Sequence, residues 1–428
     1  MNLECSIEKQ EVLLLNLQIN KNALLQYFAI YMSLQFLSGR VSLFLGSDLF
    51  YGFCFVFSAT YIFIHNRAFR EDSKYFLYLF IIVCFALITT VFTGGALSIA
   101  TTLSLLSRYL MVYVAIVSNR EKFIERFLRM CYVLAITSVI IFAFVQIAGQ
   151  DTAMRLMSPL YEIKNTLSWM PSSYGLFFIV YNFRNGNRNS YMFGEPGLYQ
   201  MVIILALYFT VFKAEHLSDK QKARYVIVFL ITMITIQSTT GFMSLIVLIL
   251  CIIFSNGLNI NRKIKGLIMT LVIVGFIYIL FFAGKDSIIY TSFMNKLFDD
   301  GGSLDLAVGT GSDRVTSILR FVWLLNNQFM DFMIGIGYDG IVNYFGGYSC
   351  SGIVNSFMMF GAINCLVLYG YILTVIVKYS RSLYEVVFLL FMIINNGLSQ
   401  PDMLAITTVF GFVYLLQERK MRGNINEN

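Results

Sequence analysis

Between residues 75 and 92, and again between 196 and 212, the chain runs without one charged side chain. A helix needs about 20 apolar residues to cross the roughly 30 Å of a bilayer's hydrocarbon, and inside it every backbone group must be hydrogen-bonded within the segment. Twelve apolar runs of this kind divide the sequence, at 23–39, 49–64, 75–92, 98–118, 130–147, 196–212, 225–237, 240–255, 266–284, 352–377, 386–398 and 404–416. Composition points the same way. The 428 residues are 58% hydrophobic, 16% aromatic and 13% charged, about half the charged fraction of an ordinary soluble domain. Four prolines and no polar low-complexity tract leave no room for a disordered chain. The expected fold is an all-α polytopic membrane protein, a single integral membrane domain over residues 1–428 with about twelve spans.

Lysine and arginine set the orientation. With the N-terminus in the cytoplasm, twenty-one of the 31 basic residues fall in inside segments, nine fall outside, and Arg108 lies within a run. Every inside connection is then basic, as the positive-inside rule requires, so both termini are expected in the cytoplasm. The net charge of +7 is thereby a topology signal, and no nucleic-acid partner is needed to explain it. The N-terminal segment, with Glu4, Glu8 and Glu11, does not read as a cleaved signal peptide.

Cysteine and histidine limit the chemistry. None of the seven cysteines forms a CxxC pair, and only His65 and His216 are present. A zinc site, a disulfide framework or a Ser/His/Asp triad has almost no material here, and no metal or cofactor is expected.

Most connections are short, but two expected on the outside are long, at 148–195 and 285–351. Long loops in so economical a chain carry function. The first contains two aromatic-rich runs on either side of Asn185-Gly186, which predict a β-hairpin, and it ends at Glu195-Pro196-Gly197, where Pro196 suits a first helical turn. Glu195 then stands at a helix N-terminus, either as a capping carboxylate or as a partly desolvated general base. In the second loop Val315, Ile318, Val322, Leu325, Phe329 and Phe332 recur in steps of three and four. This spacing predicts an amphipathic helix, capped by Ser312 or Asp313, that ends at Ile334-Gly-Ile-Gly337. Arg314 is expected behind a glycine-rich turn at its N-terminus, a place that favours an anion, and Arg320 on the polar face. Arg108, the one basic residue inside a run, reads as an interior partner or a lipid-phosphate contact.

At these residues the chain resembles the O-antigen polymerase and ligase superfamily of bacterial surface-polysaccharide assembly. The resemblance is carried by Arg188 before Phe193-Gly-Glu-Pro-Gly197, the Ser238-Thr-Thr-Gly241 turn, the Ser312-Asp-Arg314 helix start, and Ile334-Gly-Ile-Gly337 followed by Asn355-Ser356 and Phe360-Gly361. It covers the C-terminal half in order, and the N-terminal half only in hydropathy. It implies a glycosyltransferase of the inner membrane acting on oligosaccharides linked to undecaprenyl pyrophosphate, with membrane lipid around it and a chain-length regulator as a further partner. The ligase branch carries a histidine where this chain has Val354, which points to the polymerase branch. In that reading Arg188 and Arg314 hold the pyrophosphate, Glu195 activates the acceptor hydroxyl, and Tyr191 and Tyr338 pack on sugar. Arg108, Arg320 and Asn355 are further substrate contacts. A lipid-linked oligosaccharide flippase or a symporter would need more charge within the spans than Arg108 alone supplies.

Overall fold

The computed structural model describes residues 21–37, 40–65, 72–93, 99–157, 162–163, 173–176, 178–183, 188–255, 270, 310–347, 349–400 and 406–426. Its helices are α1 (Lys21–Leu34), α2 (Arg40–Leu45), α3 (Ser47–Ile64), α4 (Ser73–Thr93), α5 (Ile99–Val117), α6 (Phe123–Ala148), α7 (Gln150–Met157), α8 (Pro196–Phe212), α9 (Asp219–Ile236), α10 (Thr239–Phe254), α11 (Thr310–Asn327), α12 (Phe329–Ile334), α13 (Gly337–Phe345), α14 (Gly352–Tyr379), α15 (Leu383–Ser399) and α16 (Ile406–Asn426). Eleven of the twelve apolar runs fall on these helices. The run at 266–284, apart from residue 270, lies outside the described residues, as does 285–309 of the second long loop. By length and composition α3, α6 and α14 are long and apolar enough to cross a membrane. Their outward side chains suit lipid, with Phe63 on α3 at 85% exposure and Ile147 on α6 at 88%.

The central element is α8. Every residue from Pro196 to Thr210 is buried, the signature of a helix enclosed on all sides by others. It packs on α6, α9, α10, α15 and α16, so both of its ends are held by several elements. At its C-terminal end Lys213, fully buried, places Nζ 2.7 Å from Glu385 Oε1 and 2.7 Å from Glu418 Oε2. Tyr208 donates to Glu385 at 2.5 Å, and Arg381 pairs with Glu418 and Glu215. A buried lysine is tolerable only with such partners. This network joins α8, the α14–α15 connection and α16 at one end of the bundle.

The first long loop contains the strands of the described residues. It holds three short antiparallel strands, β1 (Glu162–Ile163), β2 (Ser173–Leu176) and β3 (Ile179–Asn182), in the order β1-β2-β3. The expected Asn185-Gly186 turn lies outside the described residues. The hairpin that is described falls within the first aromatic run, with Leu176 paired to Ile179 and Tyr174 to Tyr181. Tyr181 and Phe183 bury against Val145 of α6 and Met157 of α7, and that packing decides which residues take the strand role.

The second loop corrects the single amphipathic helix. It starts at Thr310, so Ser312 and Asp313 lie within its first turn, and it breaks at Gln328 before α12. The apolar stripe read from the sequence points largely outward, with Ile318, Val322 and Phe329 exposed, whereas Ser317 and Leu324 are buried. In a bilayer the apolar face meets lipid, and small or polar residues can take the interior face.

α14 is interrupted at Gly361, whose φ of 80° and ψ of 164° are not helical. A Cβ there would lie 2.2 Å from Ile334 C and 2.4 Å from Gly335 N. A Cβ on Gly335, itself at φ 98°, would lie 2.5 Å from Met359 O. The two glycines thus allow the turn after α12 to dock backbone to backbone into the break in α14. The freed groups find partners: Ile336 N donates to Met358 O at 2.8 Å, Thr89 Oγ1 to Ile334 O at 3.0 Å, and Asn364 Nδ2 to Phe360 O at 2.6 Å.

Candidate functional site

The end of the bundle opposite Lys213 holds Arg188, Tyr191 and Glu195 among the residues singled out from the sequence. The segment 188–195 runs across it as a strap before α8. Asn189, fully buried, donates from its backbone N to Thr235 O at 2.9 Å and from Nδ2 to Thr235 Oγ1 at 3.0 Å. Its Nδ2 also reaches Ser138 Oγ at 3.3 Å, and Ser138 shares a 2.7 Å hydrogen bond with Tyr199. Gln35, just past α1, donates to Met192 Sδ at 3.6 Å, and Asn182 of β3 donates to Gly194 O at 2.9 Å. The strap is therefore tied to α1, α6, α8, α9 and the sheet.

Tyr191 turns the strap, with a positive φ of 50° that L-residues other than Asn, Asp or His rarely adopt. Its ring is buried and its hydroxyl donates to Phe178 O, and burial pushes that hydroxyl's pKa up. The side chain expected to pack on sugar instead holds the hairpin against the strap.

Glu195 occupies the N-cap position of α8 with extended backbone, φ −140° and ψ 150°, and Pro196 opens the helix. Its side chain makes no capping hydrogen bond, and it is exposed. Of the two roles open from sequence, the carboxylate is not engaged in capping. Arg188 is half-buried beside this region. Burial lowers the pKa of its guanidinium, while the charge of Glu195 acts in the opposite sense. The two charges that the sequence placed seven residues apart thus act on each other across the strap. Arg188 Nε is buried and has no hydrogen-bond partner among the described residues.

The second long loop reaches the same end. Arg320 was expected on a polar, outward face; it turns inward, donates from Nη1 to Gly347 O at 2.9 Å, and lies 5.4 Å from the ring centre of Phe345. The adjoining stretch is fastened by Asn355, which is fully buried: it accepts at Oδ1 from Ser349 N at 3.0 Å and Ser349 Oγ at 2.8 Å, and it donates from Nδ2 to Ser349 O at 2.9 Å. Both ends of its carboxamide thus hold the chain leading into α14. Ser351 caps α14 and donates to Gly397 O at 3.1 Å, and Gly352 N donates to Gln400 O at 2.7 Å. Gln400 in turn fills the space beside Gly197, where a Cβ would lie 2.0 Å from its Nε2. A continuous path of contacts so leads from Arg320 to the helix start behind Glu195.

Arg314 lies in the second turn of α11 and Tyr338 near the start of α13, but their side chains are outside the described residues. Arg108 is set apart on α5, its guanidinium carbon 6.0 Å from the ring centre of Phe36 just beyond α1. α5 packs mainly on α3, α1 and α16. The Ser238–Gly241 turn is formed as expected, with Ser238 capping α10 by accepting from Gly241 N.

Sequence reasoning passed over Asn189, Gln200, Asn396 and Gln400. The signal was available: Gln200 and Asn395-Asn396 are carboxamides inside otherwise apolar runs, and polar groups at such positions mark interior contacts or sites. Among the described residues, no three His, Cys, Asp or Glu side chains converge as a metal site. No family model matches the chain, and no curated protein matches it.

Proposed function

We propose that the protein is a multi-pass enzyme of the bacterial inner membrane, with both termini in the cytoplasm. In this reading it polymerises oligosaccharide repeat units carried on undecaprenyl pyrophosphate into surface polysaccharide at the periplasmic face. The observation that carries the reading is a half-buried Arg188 within electrostatic reach of an exposed, non-capping Glu195 at one end of the bundle, opposite the Lys213 network.

In the proposed reaction, the bond between the anomeric carbon of the growing chain and its pyrophosphate breaks, and the pyrophosphate leaves with the electron pair. The hydroxyl of the incoming lipid-linked unit forms the new glycosidic bond, and its proton passes to Glu195. A guanidinium is planar, permanently charged and a fork of donors, which suits Arg188 and Arg314 to the charge developing on the leaving pyrophosphate. The partial desolvation of Arg188 strengthens such a contact. In the orientation that the basic residues favour, the Glu195 end of α8 shares the periplasmic leaflet with both lipid-anchored substrates.

Deletion of the gene tests the reading. Single repeat units attached to lipid A core are expected in the mutant. Complete loss of the polysaccharide would instead favour a flippase or ligase.

A further inference from the structure

About one turn inside the bundle from Glu195, two carboxamides stand that the reaction above does not use. Gln200 on α8 and Asn396 on α15 are buried, at 0% and 1% exposure. Each is about 6 Å along its helix axis from the helix end at Pro196 or Gln400. Gln200 Nε2 donates to Asn396 Oδ1 at 3.4 Å, while Gln200 Oε1 and Asn396 Nδ2 have no hydrogen-bond partner among the described residues. Whichever way round the two amides are assigned, one nitrogen and one oxygen stay outside the bond they share. The neighbouring amide differs: Asn395 Nδ2 donates to both Thr240 O at 2.9 Å and Ser244 Oγ at 2.8 Å.

Side by side, an uncommitted donor and an uncommitted acceptor are matched by a group that both accepts and donates. A hydroxyl does this, whereas an ionised phosphate only accepts and would leave the amide oxygen unmatched. The same mixture recurs in the strap above, where Arg188 Nε and Asn189 Oδ1 have no partner among the described residues. We infer that Gln200 and Asn396 form a subsite for the hydroxyl groups of a sugar, separate from the charges that hold pyrophosphate. The inference deepens the proposed function and rests on it. The pair is enclosed in this structure, so a sugar enters as α8 and α15 part at this end, where their contact is the Gln400 side chain seated beside Gly197.

Binding, measured apart from turnover, tests this. Purified full-length protein in detergent is titrated with a polyprenyl pyrophosphate and with the lipid-linked repeat unit extracted from cells lacking the gene. The wild type is expected to prefer the sugar-bearing lipid about tenfold, the worth of one or two hydrogen bonds. Gln200→Met is expected to abolish that preference and leave the affinity for the bare lipid unchanged. Asn396→Ala reads the same subsite from α15 if Gln200→Met does not fold. Retention of the preference in a folded variant would overturn the inference and leave the pair as a hydrated amide contact only. Equal wild-type affinity for the two lipids would overturn it too, without touching the transfer reaction. A folded wild type that binds neither lipid would overturn the proposed function itself.

Discussion

Glu195 separates two roles that a carboxylate before a helix can play. A side chain that caps a helix contributes about 1 kcal/mol to stability. Glu195 makes no such bond, so Glu195→Ala is expected to shift thermal unfolding in detergent by less than about 0.5 kcal/mol. Under the proposed reaction, polymerisation by Glu195→Gln falls by about 100-fold or more at normal protein level. A loss of stability in step with activity would assign the residue to capping. Arg188→Lys keeps the charge and loses the fork, and a comparable fall in transfer is expected for it. Asn355 should behave the opposite way. Asn355→Ala removes its three bonds to Ser349 and takes the partner from buried backbone N and O of that residue, at about 1–3 kcal/mol each, so unfolding temperature is the quantity that moves. These differences were only partly legible in the sequence. Glu195 stands out by its place before Pro196, and Arg188, Tyr191 and Asn355 through the motifs that carry the family resemblance. Which of them turn inward depends on neighbours distant in sequence, such as Phe178 for Tyr191 and Ser349 for Asn355.

Among the elements, the helical period of the second long loop was legible, and its direction was not. Spacing in threes and fours identifies one face of α11, but in a bilayer an apolar face is as much at home against lipid as against protein. The structure turns Ile318 and Val322 outward and brings Ser317 and Arg320 to the inside. Nor did the pattern disclose the break at Gln328, because no proline or glycine marks it. The break in α14 is different, since Gly335 and Gly361 were visible as glycines and only their mutual contact was hidden. That contact makes a sharp prediction. At φ 80° and ψ 164° an L-residue is strained by about 1–3 kcal/mol before any clash, and an added Cβ meets backbone rather than a movable side chain. Gly361→Ala is therefore expected to lower unfolding temperature and yield sharply, with Gly335→Ala close behind. In contrast, Gly370→Ala further along α14 meets nothing within 4 Å and should be neutral or better. Equal behaviour of the three variants would refute the interlock.

Across the whole molecule, hydropathy and the distribution of basic residues set out the runs and their expected orientation, because both follow from the free energy of placing each side chain in lipid or water. Neither could single out α8 as the enclosed helix, nor show that Lys213 and Arg381, read as topology signals, are held in a network with Glu385 and Glu418. Lys213→Met leaves two buried carboxylates short of their counter-charge and is expected to cost about 3–5 kcal/mol, whereas replacing the lysine and both glutamates together by apolar residues should recover much of that. The network also sets an acid limit. Burial raises the pKa of Glu418, but Lys213 and Arg381 outweigh it and hold the carboxyl below its ordinary value of 4.5. A group whose pKa is lower folded than unfolded contributes stability above the unfolded value and loses it as pH falls through the folded one. Unfolding temperature should accordingly decline below about pH 4.5, and Glu418→Gln should flatten that decline.

The central claim, that this bundle joins lipid-linked sugars at the Glu195 end of α8, is tested most directly in a purified system. The full-length protein in proteoliposomes is given lipid-linked repeat units extracted from cells lacking the gene, and products are resolved by size. A ladder of lipid-linked oligomers at repeat-unit spacing, lost in Glu195→Gln and Arg188→Ala protein that remains folded, is the predicted result. Repeat units that cross the bilayer without lengthening, or a ladder unchanged in both variants, would contradict it.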